Sequence, residues 1–261
     1  MFLNAMRDCN NEISSLECCG DRSPCNCENS LTEDYYHRND SYNCQKKMDT
    51  YVIKYGPSYI SEIYHYLEVS QILTRFRNSP LNIISLGCGF APDYYAISKY
   101  NQDNQLNIQI NYTGLDLSTF WNTARPNVQN CTFRQTNLTE SFSLKDAHIV
   151  FICKSFSTMY KNGMHAQFLQ NLTSAINQDM SPGSILVFID VNHIGLGRDV
   201  FDDNISSAIS PINKYHFKGY SELDWIIINN NNVIYNINQG LFVESIPNTN
   251  DTIIFEYRKE S

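Results

Sequence analysis

Residues 85–89 read Ser85-Leu86-Gly87-Cys88-Gly89, which sets two glycines one residue apart directly after an apolar run. Glycine at such a place admits the positive φ of a tight turn and leaves no side chain between backbone and ligand. Asp116 follows one strand–helix–strand unit later, within Gly114-Leu115-Asp116-Leu117-Ser118. A carboxylate at the end of a second parallel strand can accept hydrogen bonds from both hydroxyls of a ribose. Together these residues read as a nucleoside-binding corner, although Asp116 has a plainer use as a helix N-cap and can serve both roles. A second kind of chemistry is offered near the start. Six of the nine cysteines fall in the first 44 residues, and Cys18, Cys19, Cys25, Cys27 and Cys44 can supply thiolates to zinc or an iron–sulfur centre. The Cys-x2-Cys spacing of structural zinc sites is missing, so redox-linked disulfides and reduced thiols stand beside the metal reading.

The elements that must position these residues follow from the hydrophobic pattern. From residue 81 onward, short apolar runs alternate with helical stretches: strands at 82–86, 108–115, 131–135, 147–153 and 184–191, and helices at 92–100, 118–124 and 163–179. That rhythm specifies βαβ units and a mostly parallel sheet with helices on both faces. Near the C-terminus the rhythm changes. Residues 225–228 and 233–237 flank an Asn run, and 241–246 with 252–257 read as a terminal antiparallel β-hairpin. Ahead of the core, residues 50–77 keep a helical spacing of Tyr51, Tyr55, Tyr59, Ile63 and Tyr66, and Gly56-Pro57 predicts a break within it. Residues 1–49 read as an irregular Cys-rich extension, 50–80 as a helical lid or linker, and 81–261 as the main domain.

Composition narrows the function classes. The chain of 261 residues is 42% hydrophobic and 18% charged, which is globular. Its net charge of −8, with nine acidic against five basic residues in the first 50, disfavours a partner with a phosphate backbone. No apolar run is long enough to span a bilayer, and the first residues lack a secretory pattern, so a cytoplasmic protein with no membrane partner is expected. A nicotinamide dinucleotide fold would carry Gly-x-Gly-x-x-Gly, but Pro92 holds the third place, and a P-loop would need Gly-Lys-Ser/Thr.

The stretch 82–118 resembles class I, Rossmann-like S-adenosylmethionine-dependent methyltransferases. Ser85-Leu86-Gly87-Cys88-Gly89 is similar to their first motif, and Asp116 matches their ribose-binding acid. The resemblance implies a seven-stranded, mostly parallel sheet with a C-terminal antiparallel hairpin. It implies a cofactor, S-adenosyl-L-methionine, held by Leu86, Gly87, Cys88, Gly89, Asp116, Leu117, Asn137 and Cys153, with Tyr51 and Tyr55 covering it. There are departures: Ser85 stands where the family often has an acid, Ala91 replaces a third glycine, and Asn137 replaces Asp at the adenine position.

Methyl transfer is an in-line displacement, for which an enzyme aligns a nucleophile and removes a proton if the acceptor carries one. Candidates at the ends of strands four and five are Lys154, Asp190 and His193, with His193 as general base. Each also has a structural use: a histidine with satisfied nitrogens, a capping carboxylate, a small buried cysteine at Cys153. Residues 149–159 lack the Asn/Asp-Pro-Pro-Tyr/Phe run of enzymes that methylate exocyclic amines of bases. The expected acceptor is therefore a small molecule first, a protein second and RNA third. The competing reading is a catalytically silent methyltransferase-like module that binds a partner through its Cys-rich N-terminal segment.

Overall fold

Strands buried on both faces read as unbroken apolar runs, and β4 (Ile149–Cys153), buried at all five positions, shows the result. The computed structural model describes residues 1–15, 31, 44–235, 240–249 and 251–260. In them β1 (Pro80–Leu86), β2 (Gln109–Asp116), β3 (Cys131–Gln135), β4 and β5 (Ile185–Val191) run parallel in the order β3-β2-β1-β4-β5. The strand β8 (Thr252–Arg258) lies antiparallel to β5 on one side and to β6 (Ser210–His216) on the other. Outside β6, the short β7 (Ile226–Ile227) ends the eight-stranded sheet. The order reverses between β1 and β4, and ligands of open α/β sheets bind beyond the carboxyl ends of strands at such a switch point.

Helices cover both faces. On one lie α1 (Phe2–Ser15), α2 (Gln45–Ser70) and α3 (Pro92–Asp103), packed on Ile83, Phe151, Val187 and Ile254. On the other, α4 (Phe156–Lys161), α5 (His165–Asp179) and α6 (Arg198–Ile205) pack on Val150, Leu186, Phe188 and Phe255. The alternation of these strand residues between faces is the period of two that a pleated strand requires.

Several sequence expectations are corrected. The first 15 residues are not irregular: Phe2, Met6, Cys9 and Ile13, spaced three to four apart, make the buried stripe of α1. Gly56-Pro57 does not break the helix at 50–77. Instead α2 runs unbroken from Gln45 to Ser70. Proline removes the donor for the carbonyl of Ile53, and the Ser245 hydroxyl donates to that carbonyl at 2.7 Å. The next carbonyl, Lys54, accepts the Ile246 amide at 2.9 Å. Gly56 is needed because a Cβ there would come within 2.6 Å of the Phe2 ring. A tertiary contact thus repairs a local defect. Residues 241–246, committed to α2, are consequently not the partner of β8. The antiparallel hairpin partner is β6, whose Pro211 and mixed burial hid it from the pattern. Residues 118–124 form only a 3-10 turn, Asn122–Ala124, and α4 was not anticipated.

Candidate functional site

The loop after β1 is shaped by two backbone donors converging on one acceptor. The amides of Gly87 and Cys88 donate to the Leu115 carbonyl at 2.8 and 3.1 Å, tying the loop to β2. Gly87 sits at φ +64 and Gly89 at φ +51. A Cβ on Gly87 would lie 2.7 Å from Cβ of Ser155, so the cradle exists only without a side chain. Ala91, at the third-glycine position, adopts φ +66 as the residue before α3, a conformation that costs a non-glycine residue about 1–2 kcal/mol.

Asp116 closes the corner. Its Oδ2 accepts the Gly89 amide and its Oδ1 the Ser118 amide, both at 2.8 Å. Burial pushes its pKa up, while those two amides, the Arg125 guanidinium and the Trp121 indole N–H work to keep it ionised. Arg125 also holds the loop from outside, donating to the carbonyls of Gly89 at 2.9 Å and Ser118 at 3.1 Å. Beneath the loop, Asp93 is fully buried, accepts the Tyr112 hydroxyl at 2.9 Å, and is pushed up to about 6 by desolvation.

The corner opens into a cavity of about 510 Å³, within the range of sites that enclose a small ligand. Its lining brings together Tyr51, Gly87, Cys88, Gly89, Asp116, Leu117, Asn137, Cys153 and Lys154 from the sequence-based set. Leu117 remains 61% exposed there, an apolar platform beside the acid. Asn137 turns its Oδ1 to the amide and hydroxyl of Thr139, at 3.1 and 2.8 Å, and so fixes the turn after β3. Burial raises the Cys88 and Cys153 thiols well above their ordinary range, which keeps both neutral and poor as nucleophiles.

Other candidates fall outside the lining. Leu86 is buried behind the loop, and Tyr55 donates its hydroxyl to the Leu31 carbonyl at 3.1 Å. Asp190 is buried and accepts the amides of Ser157, in the first turn of α4, and Val191 at 2.9 and 2.8 Å. His193 is exposed, and its Nδ1 accepts the Gly195 amide at 3.0 Å at the start of a 3-10 turn. Neither is among the residues that line the cavity. Cys18, Cys19, Cys25 and Cys27 lie outside the described residues, and Cys44 is buried at the start of α2. Among the described residues no cluster of three or more metal-type side chains occurs.

Among the contributors that sequence reasoning did not single out are Tyr59, Arg125, Ser155 and Met159. Tyr59 lies eight residues after Tyr51 on one helical face, and the hydroxyls meet at 3.3 Å. That spacing was the available signal. Arg125 and Ser155 act on the glycine loop across strands, which no local pattern announces.

The mostly parallel sheet continued by a reversed strand is what the resemblance implied, with eight strands in place of seven, and the glycine loop and Asp116 meet at its switch point. Eight strands with helices on both faces make an open, mostly parallel α/β sheet. No family model and no curated protein matches the chain. Among solved structures, it is similar to the N-methyltransferase NodS from Bradyrhizobium japonicum WM9 at 11% identity, covering 77% of this chain and 97% of that one, with a TM-score of 0.48. A TehB-like S-adenosylmethionine-dependent methyltransferase from Corynebacterium glutamicum matches at 12% identity over 77% and 99% of the two chains, TM-score 0.45. A putative methyltransferase in complex with the Trm112 activator of Haloferax volcanii matches at 11% identity over 78% and 94%, TM-score 0.46. Among the described residues, no helix is long and apolar enough to cross a membrane.

Proposed function

We propose that the chain is an S-adenosylmethionine-dependent methyltransferase acting on a small molecule. The observation that carries this reading is the pairing of Gly89 and Asp116 in one corner of a single cavity, with the amide-to-carboxylate bond at 2.8 Å. The donor set fits the cofactor. Each Asp116 oxygen spends one acceptor site on a backbone amide, the Trp121 indole takes a third, and the remaining one is open to a ribose hydroxyl. Gly87 and Gly89 let backbone approach the amino-acid portion, and Leu117 and Asn137 flank the side where a base would stack. When bound, S-adenosylmethionine supplies a methyl carbon made electrophilic by an adjacent sulfonium.

The chain's own residues do the remaining work. Tyr51 and Tyr59 from α2 cover the end of the cavity at Cys153 and Lys154 and exclude water from it. The cavity volume suits a small acceptor, and the net charge of −8 disfavours RNA. Asp190 holds α4, and through it Thr158 and Met159 in the lining, in place. The reading is tested by titration calorimetry with S-adenosylmethionine and S-adenosylhomocysteine. Micromolar-range binding is expected, weakened about 30- to 100-fold in Asp116→Ala, because a charge-assisted hydrogen bond contributes roughly 2–3 kcal/mol. Absence of binding to either compound in the folded native chain defeats it.

A further inference from the structure

We infer that the acceptor end of this cavity is built for a planar small molecule carrying an ionised oxygen, a carboxylate, phenolate or enolate, received by the Lys154 ammonium. The inference rests on the methyltransferase reading and names the acceptor class for that same site.

Lys154 is the first residue after β4, at φ +54, a left-handed conformation that a non-glycine residue adopts at a cost. Its side chain is 6% exposed and its Nζ lies 2.9 Å from Oε2 of Glu62, which is completely buried on α2. The same Nζ donates to the Thr252 hydroxyl on β8. An ammonium has three protons, and these partners take two. The third side of the ammonium stands over the Tyr59 ring, 5.1 Å from its centroid, and both Lys154 and Tyr59 line the cavity.

Orientation decides what the pair presents. Glu62 is not part of the lining and Lys154 is, so a ligand meets the positive end of an oriented dipole whose negative end is sealed under α2. The other charged side chain in the lining, Asp116, ends β2, two strand positions from β4 in the sheet and so about 10 Å away. One end of the cavity therefore suits hydroxyl donors and the other an anionic acceptor. Beside the latter, the Tyr59 ring lies under the ammonium and meets the Tyr51 ring edge-on at 6.0 Å, which favours a flat, unsaturated body.

The composition of the lining agrees with such a ligand. Among the described residues the lining holds no histidine, Asp116 is committed to two amides, and the Cys153 thiol is held neutral. An acceptor that arrives ionised has no proton to lose and requires no base. A cationic amine would instead face Lys154 across a low-dielectric cavity.

The test measures binding rather than turnover. Benzoate, benzyl alcohol and benzylamine are titrated by calorimetry into the full chain saturated with S-adenosylhomocysteine. Benzoate is expected to bind at least 10-fold more tightly than the other two. The preference should vanish in Lys154→Met, and equally in Lys154→Met combined with Glu62→Met, which leaves no orphaned carboxylate and protects the fold. Retained S-adenosylhomocysteine affinity in these variants shows that the cofactor corner is intact. Equal or tighter binding of benzylamine, no binding of any of the three, or a benzoate preference that survives loss of Lys154 overturns the inference while leaving the cofactor reading standing. Loss of S-adenosylhomocysteine binding in the native chain sinks that underlying reading instead.

Discussion

The loops after β1 and β2 and the loops after β4 and β5 both sit at the carboxyl edge of one sheet, yet they use their polar residues in opposite ways. In the first pair, side chains brace the backbone of the glycine loop: Asp116 accepts the Gly89 amide and Arg125 donates to the Gly89 carbonyl. In the second pair, side chains with catalytic credentials are spent on structure. Asp190 satisfies the first turn of α4, and His193 caps a 3-10 turn. A chemically capable residue at the right strand end is therefore no guide to reactivity until its hydrogen-bond partners are counted. The difference teaches that the corner of Gly89 and Asp116 is a property of local chain geometry, whereas the Lys154 end of the cavity is assembled from α2, β4 and β8, which are far apart in sequence.

Gly87→Ala attacks the first region hardest. The new Cβ needs a left-handed backbone and meets Ser155, so stability should fall by about 2–4 kcal/mol in urea denaturation, with S-adenosylhomocysteine binding lost. Combining it with Ser155→Gly removes the steric part and leaves the backbone part. Full cofactor affinity in Gly87→Ala alone would show that the cradle is not where the ligand sits.

Next in size is a pH effect beneath the same loop. The Asp93 carboxyl titrates at about 6 in the folded chain against roughly 3.9 when unfolded, so the folded state binds the proton more tightly. Its stabilising contribution is complete below pH 4 and lost as pH rises through 6, at most about 3 kcal/mol. Asp93→Asn retains an acceptor for the Tyr112 hydroxyl. It should raise the melting temperature at pH 8 and flatten the stability profile between pH 4 and 7. An unchanged profile would place the proton elsewhere.

In the second region, Asp190→Ala should cost about 1–2 kcal/mol of stability through the lost amide bonds of Ser157 and Val191. S-adenosylhomocysteine affinity should change only a few-fold, through the α4 residues of the lining. The smallest effect is expected for His193→Ala: under 0.5 kcal/mol, and turnover within about two-fold once an acceptor is in hand. A hundred-fold loss of turnover there would erase the contrast between the two regions, because it would return a base to the acceptor end.

How far the sequence could be read follows the same division. The glycine loop, Asp116 and the parallel strands were legible because each depends on neighbours within a few residues or on a period of two. The register of β1 on β2, which sets Leu86 beside Leu115, follows from those runs. The unbroken α2 was not legible, because the donors that satisfy Ile53 and Lys54 come from residues 245 and 246. Nor was β6, whose pairing with β8 depends on a strand 40 residues further on.

Hydrophobic periodicity and turn chemistry alone determined the α/β class, the five parallel strands and the place of the glycine loop, since those are local consequences of burial and of backbone freedom. Only the tertiary structure decided which carboxylates are caps, that Lys154 pairs with Glu62 of α2, and that a helix with proline in its middle stays whole. The physical reason is that a buried polar group is defined by its partner, and here the partners come from distant parts of the chain.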